Sequence, residues 1–291
     1  MKIVITGSNS QLAHSLITNL KKININYKAF NKTELDITNS HKSEFILKKI
    51  SPNFIINCAA YTQVDKAELE KKNANDINNI GLKNLSLISN KLNCTLIHFS
   101  TDYVFNGQKN NKYTEEDTTD PISYYGKTKL DGEHQIFNLC NNFLILRISW
   151  LFSLRKNNFV TFVLDKLSKN EDIFCVNDQI GIPTCTEDVS KFYLFYFNIN
   201  NKKINREIYH FVNNGHEVSW YEFANKILIH YNKYASTSSK IIPIESKNLF
   251  KNNIRPRYSA LNNKKIQYNF DFKIDNWENS LNEIVNKYFN I

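Results

Sequence analysis

Lys2-Ile3-Val4-Ile5-Thr6, followed at once by Gly7-Ser8-Asn9-Ser10-Gln11-Leu12-Ala13, is the stretch on which the fold turns. Its first five residues form a short apolar, β-branched run, which reads as a buried strand. Leu12, Leu16, Ile17 and Leu20 then fall on one face at helical spacing. Strand, Gly-bearing turn and helix in that order open a nucleotide-binding crossover, where the first N–H groups of the helix face a pyrophosphate. Of the pattern Gly-x-x-Gly-x-x-Gly only Gly7 stands; Ser10 and Ala13 fill the other places. Ala suits a helix packed closely on a strand. Ser10 leaves two readings open: its Cβ holds the backbone off a phosphate, or its hydroxyl donates to one. An ordinary strand-turn-helix without a ligand is the competing reading of the segment. With the strand at residue 2, no signal peptide is expected before it.

Outward from that turn, apolar strands alternate with helical stretches. Asn53 to Ala60, Thr95 to Ser100 and Phe143 to Arg147 read as strands, and Ile80 to Leu92 as a helix between two of them. The alternation predicts an α/β fold: a Rossmann-type doubly wound parallel sheet. In such sheets ligands bind at the carboxyl ends of strands. Small and polar residues gather there, at Gly7–Ser10, Ala59–Thr62 and Ser100–Tyr103. After residue 150 the pattern loosens. Asn170 to Thr184 reads as loop and edge strand, and helices return at Trp220 to Tyr231 and Trp277 to Phe289. The expected division is a dinucleotide-binding domain over 1–150 with a return near 186–215. A smaller α/β substrate-binding region then takes 151–185 and 216–291, packed on the first without a Gly/Ser linker.

Composition narrows the classes. The chain has 291 residues, 42% of them hydrophobic, enough to bury a good core. No apolar run approaches the roughly 20 residues of a membrane span. Five scattered cysteines include no C-x-x-C pair, so neither a zinc site nor a disulfide framework is expected, and reduced thiols fit the cytoplasm. A net charge of +9 comes from lysines spread through an Asn- and Ile-rich background, without a basic block. Nucleic acid is therefore not an expected partner.

The chemistry lies in two segments, Ser100-Thr101-Asp102-Tyr103-Val104-Phe105 and Tyr125-Gly126-Lys127-Thr128-Lys129. A Tyr four residues before a Lys puts both on one helix face, one turn apart. A free phenol titrates near pH 10, and a neighbouring ammonium lowers that value. The tuned phenol can protonate an alkoxide forming at a carbonyl carbon, and the Thr101 hydroxyl can bond the same oxygen. Alone, the Tyr-x-x-x-Lys spacing is common on solvated helices.

Six segments in order give the chain a resemblance to the dTDP-4-dehydrorhamnose reductases of the extended short-chain dehydrogenase/reductase superfamily. They are Asn57 to Glu68 (NCAAYTQVDKAE), Ser100 to Phe105, Tyr125 to Glu133, Arg147-Ile148-Ser149-Trp150, Asn177 to Thr184 and Arg255 to Leu261. The resemblance implies reduction of the 4-keto group of dTDP-4-dehydro-β-L-rhamnose to dTDP-β-L-rhamnose, with NADPH as cofactor and NADH as the alternative. It makes Tyr125 the general acid, Lys129 its electrostatic partner and a ribose contact, and Thr101 the group that orients the ketone. Gly7, Ser10, Gln11 and Leu12 match the diphosphate turn, Asp36 and Ile37 the adenine side, and Ala60, Tyr61 and Thr62 the ribose side. For the sugar nucleotide it points to Thr101, Asp102, Trp150 and Arg255. Plain packing for Trp150 and a surface ion pair for Arg255 are the competing readings.

Asn31 and Lys32 stand where many relatives carry an acid and an Arg. Without the acid, a 2′-phosphate is not repelled, which favours NADPH. Some relatives form a magnesium-linked dimer through acids; here Ser15 occupies one such place and the chain ends at Ile291, so no metal site is expected and a homodimer stays open. A dehydratase or epimerase on the same fold is one rival, but a 4,6-dehydratase carries Asp then Glu after the Thr, and this chain has Asp102 then Tyr103. A non-catalytic regulatory subunit, like the β subunit of methionine adenosyltransferase, is the other.

Overall fold

The computed structural model describes residues 1–155, 158–198, 206–249 and 255–290. In the first half, β1 (Lys2–Thr6), α1 (Gln11–Lys22), β2 (Asn26–Phe30), α2 (Ser40–Ile50) and β3 (Phe54–Asn57) follow one another. Two short helices, α3 (Val64–Ala67) and α4 (Lys71–Asn75), lead through a π-turn at Asp76–Ile80 into α5 (Gly81–Lys91). Next come β4 (Thr95–Thr101), α6 (Tyr124–Leu139) and β5 (Phe143–Ile148). These five strands and a sixth, Glu207–His210, form one sheet, in the order Glu207–His210, β5, β4, β3, β1, β2. Every pairing in it is parallel.

Strand side chains alternate between faces, and the sheet is covered on both. Ile3, Ile5, Ile56 and Ile97 pack with Leu12 and Leu16 of α1 and with Phe192 and Tyr193 of the helix Thr186–Asn198. Val4, Ile55, Leu96 and Ile145 face the other way, onto Leu47, Leu85 and Ile136. Such two-sided burial is why these strands are continuous apolar runs. Toward the carboxyl ends of the second face, the residues two further on are polar: Thr6, Asn57, His98 and Arg147.

A further core gathers Val160, Leu164, Phe223, Ile227, Trp277 and Leu281, together with Val104, Phe105 and Tyr113 from the first half. The stretch read as loop and edge strand holds three short strands. Ile173–Val176 pairs parallel with Ile241–Ile244, Ile180–Gly181 antiparallel with Val218–Ser219, and Thr184–Cys185 parallel with Leu151–Phe152. Strands of two to four residues leave too short a pattern to read. The helix read from Ile80 begins earlier, at Lys71; Lys71 to Asn79 is mostly polar, with Ala74 and Ile77 turned inward and Asn78 buried in the π-turn. Among the described residues, no helix is long and apolar enough to cross a membrane.

Candidate active site

A cleft of about 680 Å³ runs along the carboxyl ends of the strands. Its walls include Ser10, Gln11 and Leu12 on one side and Thr101, Tyr125 and Lys129 on the other, with Ala60, Thr62, Asp102 and Trp150 between.

The turn after β1 is held by close packing. Gly7 has φ +65°, and a Cβ there would meet Ala59 N at 2.5 Å. Ser10 caps α1, its Oγ accepting from Ala13 N at 3.2 Å. Gln11 and Leu12 come first in the helix, where backbone N–H groups have no intrahelical acceptor, and both line the cleft. The Gln11 side chain ties this turn to the segment after β5, donating to Leu151 O at 3.3 Å and accepting from Ser153 Oγ at 3.0 Å. Across the cleft, Ser100 Oγ is buried with no hydrogen-bond partner. Free helix-end N–H groups beside a glycine cradle, facing a buried hydroxyl that lacks a partner, fit a dinucleotide.

The start of α6, which carries Tyr125, is fixed by two bonds. Ser123 caps α6, accepting from Gly126 N at 3.1 Å, and Glu68 accepts from Tyr124 N at 2.7 Å. Gly126 permits α6 to lie against the turn after β4, since a Cβ there would sit 2.2 Å from Tyr103 O. Thr101 Oγ1 donates to Asp102 Oδ1 at 3.0 Å and accepts from Tyr103 N at 3.2 Å. Burial raises the Asp102 carboxyl to about 6, against hydrogen bonds from Ser259 and Thr101. Burial likewise pushes the Tyr125 phenol upward, against a hydrogen bond with Thr101.

The Lys129 amino group is tied elsewhere than to the Tyr125 hydroxyl. The groups acting on Tyr125 are its buried surroundings, Thr101, Asp102 and Tyr103. Lys129 Nζ is instead bound by Phe99 O at 2.6 Å and His98 Nε2 at 3.1 Å. Its own burial brings it down to about 8. The helical spacing aligned the two residues, but packing against β4 aimed the ammonium.

Other predicted residues are more scattered. Tyr61 is buried, its hydroxyl donating to Glu70 Oε2 at 3.1 Å; its flanking residues Ala60 and Thr62 line the cleft instead. Asn31, Lys32, Asp36 and Ile37 lie beyond the cleft walls, past β2. Asn31 Oδ1 accepts from Thr33 N and Glu34 N, and Asp36 Oδ1 from Thr38 N, so both side chains shape their own turns. Ile37 is buried among Leu35, Leu47 and Leu82. Lys32 is exposed. Glu34 Oε2 accepts from Asn31 N at 2.8 Å, bringing an acid back to this corner, and Lys42 Nζ reaches Thr33 O at 3.1 Å.

Trp150 adopts φ +46° and stacks on Trp220, with centroids 3.5 Å apart and planes 7° from parallel. Arg255 lines a neighbouring groove of about 960 Å³, which meets the cleft at Asn158, Phe159 and Trp220. Its Nη2 donates to Asp65 Oδ1 at 2.7 Å, the ion pair held open as the competing reading. Ser15 Oγ is engaged with Thr186 Oγ1 at 2.7 Å. Among the described residues, which exclude Ile291, no three His, Cys, Asp or Glu side chains group as a metal site would require.

The roles of Asn78, Glu133 and Trp220 escape the sequence reading. Asn78 Oδ1 accepts from Tyr61 N at 2.9 Å, and its Nδ2 donates to Tyr61 O at 3.0 Å and Thr128 Oγ1 at 3.1 Å, joining the loop after β3 to α6. Glu133 forms a buried bidentate pair with Arg147, behind Lys129. Glu133 lies four residues after Lys129 on the same helix face, a spacing that could have found it. Trp220 and Asn78 carry no comparable signal.

A six-stranded parallel sheet, a glycine turn into α1 and a Tyr-x-x-x-Lys on α6 beside Thr101 together define an extended short-chain dehydrogenase/reductase. More narrowly, the chain belongs to the RmlD substrate binding domain family, whose model matches residues 1–290. It is 38% identical to the dTDP-4-dehydrorhamnose reductase of Aggregatibacter actinomycetemcomitans, over 97% of this chain and 98% of that one. It is 32% identical to that of Sinorhizobium fredii, over 98% and 97%. A crystal structure of the Bacillus anthracis dTDP-4-dehydrorhamnose reductase in complex with NADP superposes with a TM-score of 0.91 at 33% identity, covering 98% of this chain and 99% of that one.

Proposed function

We propose that this chain is a dTDP-4-dehydrorhamnose reductase that uses NADPH, with NADH as the weaker alternative, to reduce the 4-keto group of dTDP-4-dehydro-β-L-rhamnose to dTDP-β-L-rhamnose. The observation that carries the reading is the convergence of Thr101, Tyr125 and Lys129 on a cleft whose opposite wall is the amino end of α1. Bound NADPH supplies the hydride. Gly7, Ser10, Gln11 and Leu12 hold the diphosphate, and Ala60, Thr62 and Lys129 the ribose side. Thr101 turns its hydroxyl from Asp102 to the ketone oxygen, and Tyr125 gives its phenolic proton to the alkoxide that forms there. The raised affinity of the buried phenol for its proton keeps it in the acid form until that alkoxide appears.

Trp150, stacked on Trp220, offers the sugar a flat aromatic wall. The neighbouring groove takes the rest of the nucleotide, with Arg255 exchanging its Asp65 partner for a diphosphate oxygen. The same reading assigns a nucleotide-sugar partner, no nucleic acid and a cytoplasmic setting. The test is steady-state NADPH oxidation with and without dTDP-4-dehydrorhamnose. Oxidation only when the sugar is present is expected. Tight nucleotide binding without turnover would replace the reading with that of a non-catalytic subunit.

A further inference from the structure

Thr6, Asn57 and His98 stand opposite one another across three adjacent strands, Thr6 paired in register with Asn57 and Asn57 with His98. All three side chains point to the α6 face of the sheet, two residues beyond Val4, Ile55 and Leu96. They are at most 1% exposed. Thr6 Oγ1 donates to Asn57 Oδ1 at 2.5 Å, Asn57 Nδ2 lies 3.1 Å from His98 Nδ1, and His98 Nε2 lies 3.1 Å from Lys129 Nζ.

Proton positions along this row follow from the backbone of Ala59. Its N–H needs an acceptor and finds Asn57 Oδ1 at 3.3 Å; its carbonyl needs a donor and finds Asn57 Nδ2 at 3.2 Å. The amide orientation is therefore fixed, and Nδ2 also donates to His98 Nδ1. A neutral imidazole that accepts at Nδ1 carries its proton on Nε2. That N–H points at Lys129 Nζ. An ammonium has three donors and no acceptor, so the two would meet proton to proton. A neutral amine instead accepts from Nε2–H while donating to Phe99 O.

We propose that His98, locked by Asn57 and Thr6, is a positioning residue that presents Nε2–H to Lys129 and disfavours the ammonium, so that charging Lys129 requires this row to rearrange. The other ionisable groups facing Lys129 are Glu133, tied to Arg147 of β5, the Cys58 thiol after β3, and Tyr125 one turn back. Glu133 and Cys58 favour the charged form; burial opposes it and brings Lys129 to about 8. Burial and then Lys129 hold His98 well below the usual imidazole range, so the ring stays neutral. The donor proton of His98 adds to the downward push on Lys129. On the reductase reading, on which this consequence rests, the ammonium stabilises the phenolate left after Tyr125 gives up its proton. Turnover then falls as pH rises through the Lys129 titration.

The direct test needs no turnover. Histidine-labelled nitrogen NMR of the full chain, with His98 assigned by the signal missing from His98→Gln, reads the tautomer. A neutral ring protonated at Nε2 is expected above the Lys129 titration, at about pH 9. A ring protonated at Nδ1 at that pH, or an imidazolium, overturns the proposal. The second test is Asn57→Asp, whose carboxylate accepts from Nδ1–H and leaves Nε2 free to accept from an ammonium. The expected result is a switched tautomer, with the alkaline limb of kcat moved up by about one pH unit or more. A switched tautomer with an unmoved limb overturns the link to Lys129. Should wild type fail to oxidise NADPH, the reductase reading falls, and its spectrum alone still decides the proposal, as it does if Asn57→Asp fails to fold.

Discussion

Tyr125 has its ring against Tyr103, with centroids 5.6 Å apart, and its hydroxyl within reach of Thr101. Tyr125→Phe therefore removes the proton and keeps the packing. Turnover is expected to fall by a factor on the order of 10²–10⁴, with NADPH affinity kept. Single-turnover measurements beside a nucleotide titration check both halves, and turnover within about threefold of wild type would take Tyr125 out of the acid's role. Lys32 is the exposed cation just past β2, where the proposed function sets the adenosine end of the nucleotide. Wild type is expected to prefer NADPH, and Lys32→Glu to reduce or reverse that preference by setting an anion against the 2′-phosphate. The ratio of kcat/KM for the two nucleotides measures it. Equal efficiencies in wild type would overturn the predicted preference.

At the scale of elements, the site depends on how closely α6 approaches the turn after β4. A Cβ at Gly126 would lie 2.2 Å from Tyr103 O and 3.1 Å from Pro121 Cβ, and backbone cannot yield as a side-chain tip can. Gly126→Ala should cost about 1–3 kcal/mol of stability. It should also shift Tyr125 relative to Thr101, lowering kcat by up to about a hundredfold. Thermal unfolding and kinetics on one preparation test the link; a lower melting temperature with intact kcat would show that the two elements move together. The sequence puts Tyr125 and Lys129 on one helix and reads β1, β3, β4 and β5 as strands but not this contact, because a close approach between helix and turn leaves no repeat along the chain. The π-turn at Asp76–Ile80 was illegible for a related reason. Its purpose is to bring Asn78 to Tyr61 and Thr128, residues distant in the chain.

Across the whole molecule, two histidines are buried neutral. His98 is held well below the usual imidazole range, and His210 is lowered to about 3, by burial first and then by a neighbouring cation, Lys129 and Arg147 respectively. For a depressed folded-state value, the contribution to stability is complete above the unfolded pKa, about 6.5. It is lost as pH falls toward the folded value, at up to about 1.4 kcal/mol per pH unit for each ring. Asp102 runs the other way, because its value is raised: its stabilising contribution is present below about 4 and lost as pH rises through about 6. Two rings outweigh one carboxyl, so the urea midpoint should drop between pH 7 and pH 5. An unchanged midpoint would exclude the pair of neutral buried rings. Activity is expected to survive excess EDTA, since Thr101 and Tyr125 can meet the alkoxide without a metal. Loss of turnover restored by magnesium would place other acids, such as Glu187 or Glu283, around a cation.

What the sequence determined by itself is whatever repeats or stands in line along the chain. The buried strands, the glycine turn into α1, and Tyr125 one turn before Lys129 are local patterns, set by period and backbone preference. Tertiary structure alone decided which way functional groups point. Lys129 lines the cleft with Tyr125, yet its amino group turns to Phe99 O and His98 because β4 supplies buried polar partners there. Tyr61 stands between two cleft residues, yet its hydroxyl leaves for Glu70. Thr6, Asn57 and His98 lie in three strands about 40 to 50 residues apart, and only parallel pairing in this register makes them one hydrogen-bonded row. Burying a polar group obliges it to find a partner, and for these residues the partner comes from another strand or helix, a fact that no local window of sequence contains.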